Sequence, residues 1–188
     1  MTDRPIIFSG PMVLALIAGR KTQTRRLATS PLRKAQPGDR LWVRETGNWR
    51  TAKSIMHGGS MGFLWYAAEH DGRTSEFFDG KNRPAIHMPR YASRLTLRIT
   101  DVRRQALMDI SDDDAIAEGI VEHATCGWHV PGLAHPLKEF PIFSRPTPRE
   151  MYAALWDTLH GSGDWLGNPE VVALTFTVEQ NNIDRIAA

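Results

Sequence analysis

The stretch AGRKTQTRRL, residues 18–27, sets Lys21, Thr22 and Thr24 among Arg20, Arg25 and Arg26. A threonine hydroxyl becomes a nucleophile only when a base removes its proton. A lysine amine serves as that base once its pKa falls from about 10.4 toward neutrality. Burial and neighbouring cations both push it down, and the flanking arginines supply cations. In a straight strand, positions 21 and 24 point to opposite faces. They converge only where Lys21 lies in a turn leading into the strand. The same residues also read as an exposed basic strand, or as a grip on nucleic-acid phosphates.

Glu118 is the second chemically notable residue. It closes a short predicted helix, just before Gly119, where a carboxylate faces the negative helix end at a cost of about 0.3–1 kcal/mol. Local rules of this kind are often broken at functional positions. The preceding Asp112–Asp114 suit the positive helix start and need no special role. Trp42 and Arg44 share one face of a predicted strand that ends beside Glu45. An aromatic ring and a guanidinium together can hold a flat nucleobase, or they can be ordinary sheet packing with a surface ion pair. His123, Cys126, His129 and His135 are zinc-ligand types, but their spacing fits no common zinc pattern, so no metal or other cofactor is expected. Tyr152 and Trp156, four residues apart on a late helix, read as core edge. Trp165 and Asn168 fit either a pocket mouth or a turn.

The elements that must position these residues follow from periodicity and punctuation. RPIIFS (4–9), TQTRRL (22–27), LWVRET within 37–46, FLWYAAE (63–69), RLTLRITDVRRQAL (94–107) and VVALTFTV (171–178) read as strands. A helix follows Ser9, with Pro11 in its first turn and Gly19 at its end. ISDDDAIAEG (110–119) is a short helix with Ser111 as N-cap. In TPREMYAALWDTLHG (147–161), Thr147 and Glu150 form a capping box, Pro148 starts the helix and Gly161 ends it. Met151, Ala154, Leu155 and Leu159 make its expected buried stripe. Strands dominate and often follow one another directly. The expected class is therefore α+β, a mixed and mainly antiparallel sheet or small barrel with helices packed on it.

The 188 residues suffice for one domain with a real core, and no linker divides them. A net charge of +2 is too mild for wholesale coating of nucleic acid, though it allows a local basic groove. A single cysteine excludes an intramolecular disulfide and fits a reducing cytoplasm. No secretory signal is visible, and the longest apolar stretch, within residues 12–19, falls far short of the about 20 residues a membrane span needs. No membrane partner is expected.

GRKTQTR (19–25), the PGD turn and strand (37–46), and the ISDDDAIAEG helix together resemble the ASCH domain, a family with a PUA-like barrel fold. PRYASRLTLRITDV and the LWDTLHG…NPEVVALTF ending are similar to the longer ASCH proteins of phages and prophages. The resemblance covers most of the chain except residues 50–62 and an insertion at about 120–146. It implies one ASCH/PUA-like domain over residues 1–188, a PUA-like mixed β-barrel with flanking helices. Part of the family removes the acetyl group from N4-acetylcytidine. Matched position by position, the resemblance implies Thr24 as nucleophile, Lys21 as base and Glu118 as an aid to proton transfer or orientation. It implies Arg26 at the substrate or oxyanion; the strand residues Trp42, Arg44 and Glu45, read from their own chemistry, complete the expected substrate-binding set. The chain is nearly twice as long as the compact amidohydrolases, and Arg25 stands where those enzymes have a small apolar residue. The partner so implied is a modified pyrimidine nucleoside. RNA is the partner under the alternative, an RNA-binding or ribonuclease module, and a third reading is an interaction protein that uses the fold without chemistry.

Overall fold

The computed structural model of the protein describes residues 1–49, 51–53, 60–62, 64–73, 81–123, 127–131 and 146–186. In chain order the elements are β1 (Asp3–Ile7), α1 (Gly10–Ile17), β2 (Gln23–Leu27), β3 (Arg40–Arg44), β4 (Gly47–Asn48), β5 (Thr51–Lys53), β6 (Ser60–Gly62), β7 (Trp65–Tyr66), β8 (Thr96–Ala106), α2 (Asp112–Ala117), β9 (Val121–His123), β10 (Gly127–His129), α3 (Pro148–His160) and β11 (Glu170–Glu179), with short 3-10 turns between some of them.

The centre is a five-stranded mixed sheet in the order β1-β3-β8-β11-β2. β1 runs parallel to β3, and every other pairing is antiparallel. β11 sits between β8 and β2, and its Val171, Val172, Ala173 and Leu174 are all buried. That unbroken apolar run suits a strand covered on both faces. Around it, one core joins α1 (Val13, Leu16), β3 (Leu41, Val43), β8 (Leu97, Ile99) and α3 (Met151, Leu155). At roughly 1.5–3 kcal/mol per fully buried side chain, this contiguous core is what fixes the sheet.

Among the described residues the expected barrel is not closed. β1 and β2 each have one strand neighbour and form the two edges of the sheet. A side chain spans the gap instead of a backbone ladder: Arg26 Nη2 on β2 donates to Ile7 O on β1 at 3.0 Å.

The helix-end signals are realised. Ser9 is the N-cap of α1, and Gly19 follows its end at φ 70°. Ser111 Oγ accepts from Asp114 N, and the reciprocal capping box of Thr147 and Glu150 starts α3. Three expectations are corrected. Among the described residues of the expected strand 63–69, only Trp65–Tyr66 is strand, whereas Ala67–His70 is a 3-10 turn whose adjacent Ala67 and Ala68 are both buried, which alternation cannot supply. On α3, Leu159 is exposed while Tyr152 and Trp156 are buried with Met151 and Leu155, because the aromatic face turns inward. The stretch expected as an inserted loop contains the β9–β10 hairpin, and residues 132–145 lie outside the described residues. No described helix is long and apolar enough to cross a membrane.

Candidate active site

Lys21 is placed by the end of α1. Past Gly19, Arg20 N and Lys21 N both donate to Ala15 O, at 2.9 and 3.1 Å. This folds the chain back over the last helical turn, so Lys21 leaves from a turn and not from the strand. Thr22 N donates to Ala117 O at 2.9 Å and ties the start of β2 to the end of α2. α2 stops at Glu118, and Gly119 follows at φ +104°, a backbone region that strains an L side chain. A Cβ there would lie 3.4 Å from Ala15 Cβ and 3.5 Å from Lys21 Cβ. Both would be ordinary contacts, so the positive φ, not a lack of room, calls for glycine here.

The result is a buried ion pair. Lys21 Nζ donates to Glu118 Oε2 at 2.6 Å and to Glu118 O at 2.8 Å. One ammonium satisfies both the side chain and the carbonyl at the helix end, which offsets the unfavourable placement of a carboxylate there. Arg25 extends the cluster with a fully enclosed side chain. Its Nη1 donates to Glu118 Oε1 at 3.2 Å and to Gln23 Oε1 at 2.6 Å, and its Nη2 to Asp114 Oδ2 at 2.7 Å. Asp114 also accepts from Gln23 Nε2 and Arg103 Nη2. Tyr152 OH donates to Glu118 Oε1 at 3.4 Å. Two buried cations, Lys21 and Arg25, and the half-exposed Arg103 face two carboxylates, the condition under which buried charges persist.

Thr24 lies on the other face of β2, 1% exposed. Its Oγ1 accepts from Arg26 Nη1 at 2.7 Å, and the same Nη1 donates to Arg25 O. Lys21 makes no hydrogen bond to Thr24; its ammonium is turned to Glu118. Lys21 and Arg26 nevertheless converge on one ring: Nζ of the lysine is 5.7 Å, and the guanidinium carbon 5.1 Å, from the centroid of Phe8. Both line a cleft of about 440 Å³ together with Arg25, Glu118, Tyr152, Trp156 and His160. That volume suits a small ligand. The Trp156 indole stacks on His160 at 4.0 Å, and its buried Nε1 has no acceptor among the described residues.

Burial pushes the Lys21 pKa below its ordinary value; Glu118 opposes that shift, and Arg26 and Arg25 reinforce it. Burial and the neighbouring Glu118 charge hold the Tyr152 phenol well above 10, so it stays protonated and donates. Burial pulls His160 below 6.5. Burial would raise Asp114, but hydrogen bonds from Arg103 and Gln23 and the Arg25 charge outweigh it and hold the carboxyl below the usual range.

Thr24 itself does not line the cleft and reaches it only through Arg26, and the remaining expected site residues are not brought there. The Arg44 guanidinium lies over the Trp42 ring at 5.2 Å, on the same strand face, and its Nη2 donates to Ile86 O. Glu45 does not face a ligand. It is 1% exposed and is gripped by Arg94, whose Nε and Nη2 donate to its two oxygens at 2.8 and 3.0 Å. His123 and His129 meet edge to face at 5.1 Å across the hairpin, and Cys126 and His135 lie outside the described residues. Asn168 Oδ1 accepts from Met108 N in a turn, while Trp165 packs edge-on to Tyr152.

Sequence reasoning missed Arg25, Asp114 and Tyr152 as supports of Glu118. One signal was present: Asp114 and Glu118 stand one helical turn apart and so share a face. An arginine buried in β2 needed exactly such a pair of carboxylates.

No family model and no curated protein matches the chain. The chain is similar to the crystal structure of a hypothetical protein, PH0355, with a TM-score of 0.45 and 11% identity, over 95% of this chain and 100% of that one.

Proposed function

We propose that the protein is an amidohydrolase of the ASCH, PUA-like kind that removes the N4-acyl group from acylated cytidine or related cytosine nucleosides. The observation that carries this reading is the buried Lys21–Glu118 pair in the same cleft as Arg26, which holds the Thr24 hydroxyl. Nucleophile, base and charge stabiliser are then all side chains of this chain.

Lys21 becomes a base by giving up its extra proton, a loss that its lowered pKa eases, while Glu118, 2.6 Å away, orients the amine. The free amine turns from Glu118 and takes the Thr24 proton as Oγ1 bonds to the acyl carbon. The carbonyl oxygen takes the negative charge, and Arg26 donates to it. The C–N4 bond breaks, N4 receives the proton from Lys21, and cytidine leaves. Water then attacks the threonyl ester, Lys21 takes its proton and returns it to Thr24 Oγ1, and the carboxylate product departs. The unpartnered Trp156 indole N–H offers a donor for a pyrimidine oxygen. The barrel belongs to the same proposal: the Arg26–Ile7 bond holds β1 and β2 together where a barrel would close.

The test is turnover of N4-acetylcytidine and a series of N4-acylated cytosine nucleosides by the purified chain. Thr24→Ala lowers kcat at least about a thousandfold, with the thermal melt retained. Absence of turnover on every acylcytidine overturns the reading and leaves the RNA-binding alternative.

A further inference from the structure

A second concavity, of about 350 Å³, lies between the sheet edges and is lined by Arg4, Arg26 and Arg44 with Ile7, Ser30 and Leu32. Arg26 and Ile7 line the active-site cleft as well, so the two spaces meet at these residues. The charge here is poorly neutralised. Arg26 donates to Thr24 Oγ1, Arg25 O and Ile7 O, all uncharged acceptors. Arg44 lies over Trp42 and donates to Ile86 O, with no ion pair among the described residues. Arg4 Nη2 donates to Lys34 O at 3.5 Å, and its one carboxylate among the described residues is Asp39, with Nε 3.8 Å from Oδ2, beyond hydrogen-bond reach. The Nε atoms of both Arg4 and Arg44 are buried without a hydrogen-bond partner among the described residues. Buried donors of this kind are normally satisfied. Two such donors and three guanidiniums around one hollow match a phosphate, which offers several acceptor oxygens and negative charge.

We propose that this groove is a phosphate subsite, so that the site takes a cytosine nucleotide in preference to the free nucleoside. The inference rests on the proposed reading, because it places the base in the Lys21 cleft and the phosphate one ribose away, on the far side of Arg26. The shared chemistry is a phosphate ester; its source is either a mononucleotide or a polynucleotide backbone.

Calorimetric binding to the full chain tests it with cytidine, cytidine 5′-monophosphate, a single-stranded oligocytidylate of four nucleotides, and inorganic phosphate as competitor. The expected result is that the monophosphate binds at least about tenfold more tightly than cytidine. Phosphate competes with it, and added salt weakens it. Arg4→Gln and Arg44→Gln each bring the ratio of the two affinities toward one. An oligonucleotide bound more tightly than the monophosphate assigns the subsite to a polynucleotide; equal binding assigns it to a free nucleotide. Equal affinity for cytidine and its monophosphate, binding of neither, or variants that keep the wild-type ratio overturns the inference. Hydrolysis is not the readout, so lack of turnover refutes the enzyme reading without touching the subsite. Turnover with a ratio of one does the reverse.

Discussion

Lys21 Nζ lies 2.6 Å from Glu118 Oε2, with the two side chains 3% and 4% exposed, and the pair joins the turn after α1 to the end of α2. Removing one partner leaves the other charged and buried. Glu118→Ala should therefore cost about 3–5 kcal/mol in urea denaturation. The double change Lys21→Met with Glu118→Leu should be clearly less destabilising than the sum of the single changes. Strict additivity would show that the pair is not coupled.

The lowered Lys21 pKa sets a pH dependence. In the fold the amine gives up its proton below its unfolded value of 10.5. Between the lowered value and 10.5 the unfolded chain binds more protons, so this group's contribution to stability rises with pH across that window. Lys21→Met should remove that rise from a denaturation series. In the proposed reaction the same deprotonation makes kcat/KM climb with pH and level off below 10.5; a flat profile would argue against Lys21 as base.

Asp114 behaves in the opposite sense. Its folded pKa lies below 3.8, so its contribution is present above 3.8 and is lost as the pH falls through the folded value. Asp114→Asn should remove that acid-side loss. It should also destabilise the protein at neutral pH by about 1.5–3 kcal/mol, because Arg25 loses a charged acceptor. Acid titrations of the two proteins followed by circular dichroism give the comparison.

Gly119→Ala should cost about 1–3 kcal/mol from backbone strain and lower activity, since relief of that strain moves the helix end that carries Glu118. Gly38 offers the control. It also has a positive φ, 90°, but nothing lies within 4 Å of a Cβ there. Gly38→Ala should lose stability in a thermal melt and keep its rate.

The sequence made some of this arrangement legible because the signals are local. Thr147 and Glu150 announce α3 through atoms three residues apart, and Gly19 announces the turn that turns Lys21 toward Glu118. What stayed hidden depends on partners distant in the chain. Glu45 reads as a polar residue at a strand end, yet Arg94, 49 residues away, closes over it. Tyr152 reads as core edge, and only the approach of α2 gives its hydroxyl a carboxylate. Thr24 was expected to work directly with Lys21, but the side chain that reaches it belongs to Arg26, two positions along on the same strand face.

Because Lys21 and Glu118 are 97 residues apart, the pair exists only while α2 is docked. That helix has six residues, too few to persist alone in water. Its undocking would rehydrate the ammonium and strip Glu118 from it while β8 and β11 stay paired. Reactivity should thus melt ahead of the sheet: on gentle warming the protein would fall silent while its β-structure still registers as intact.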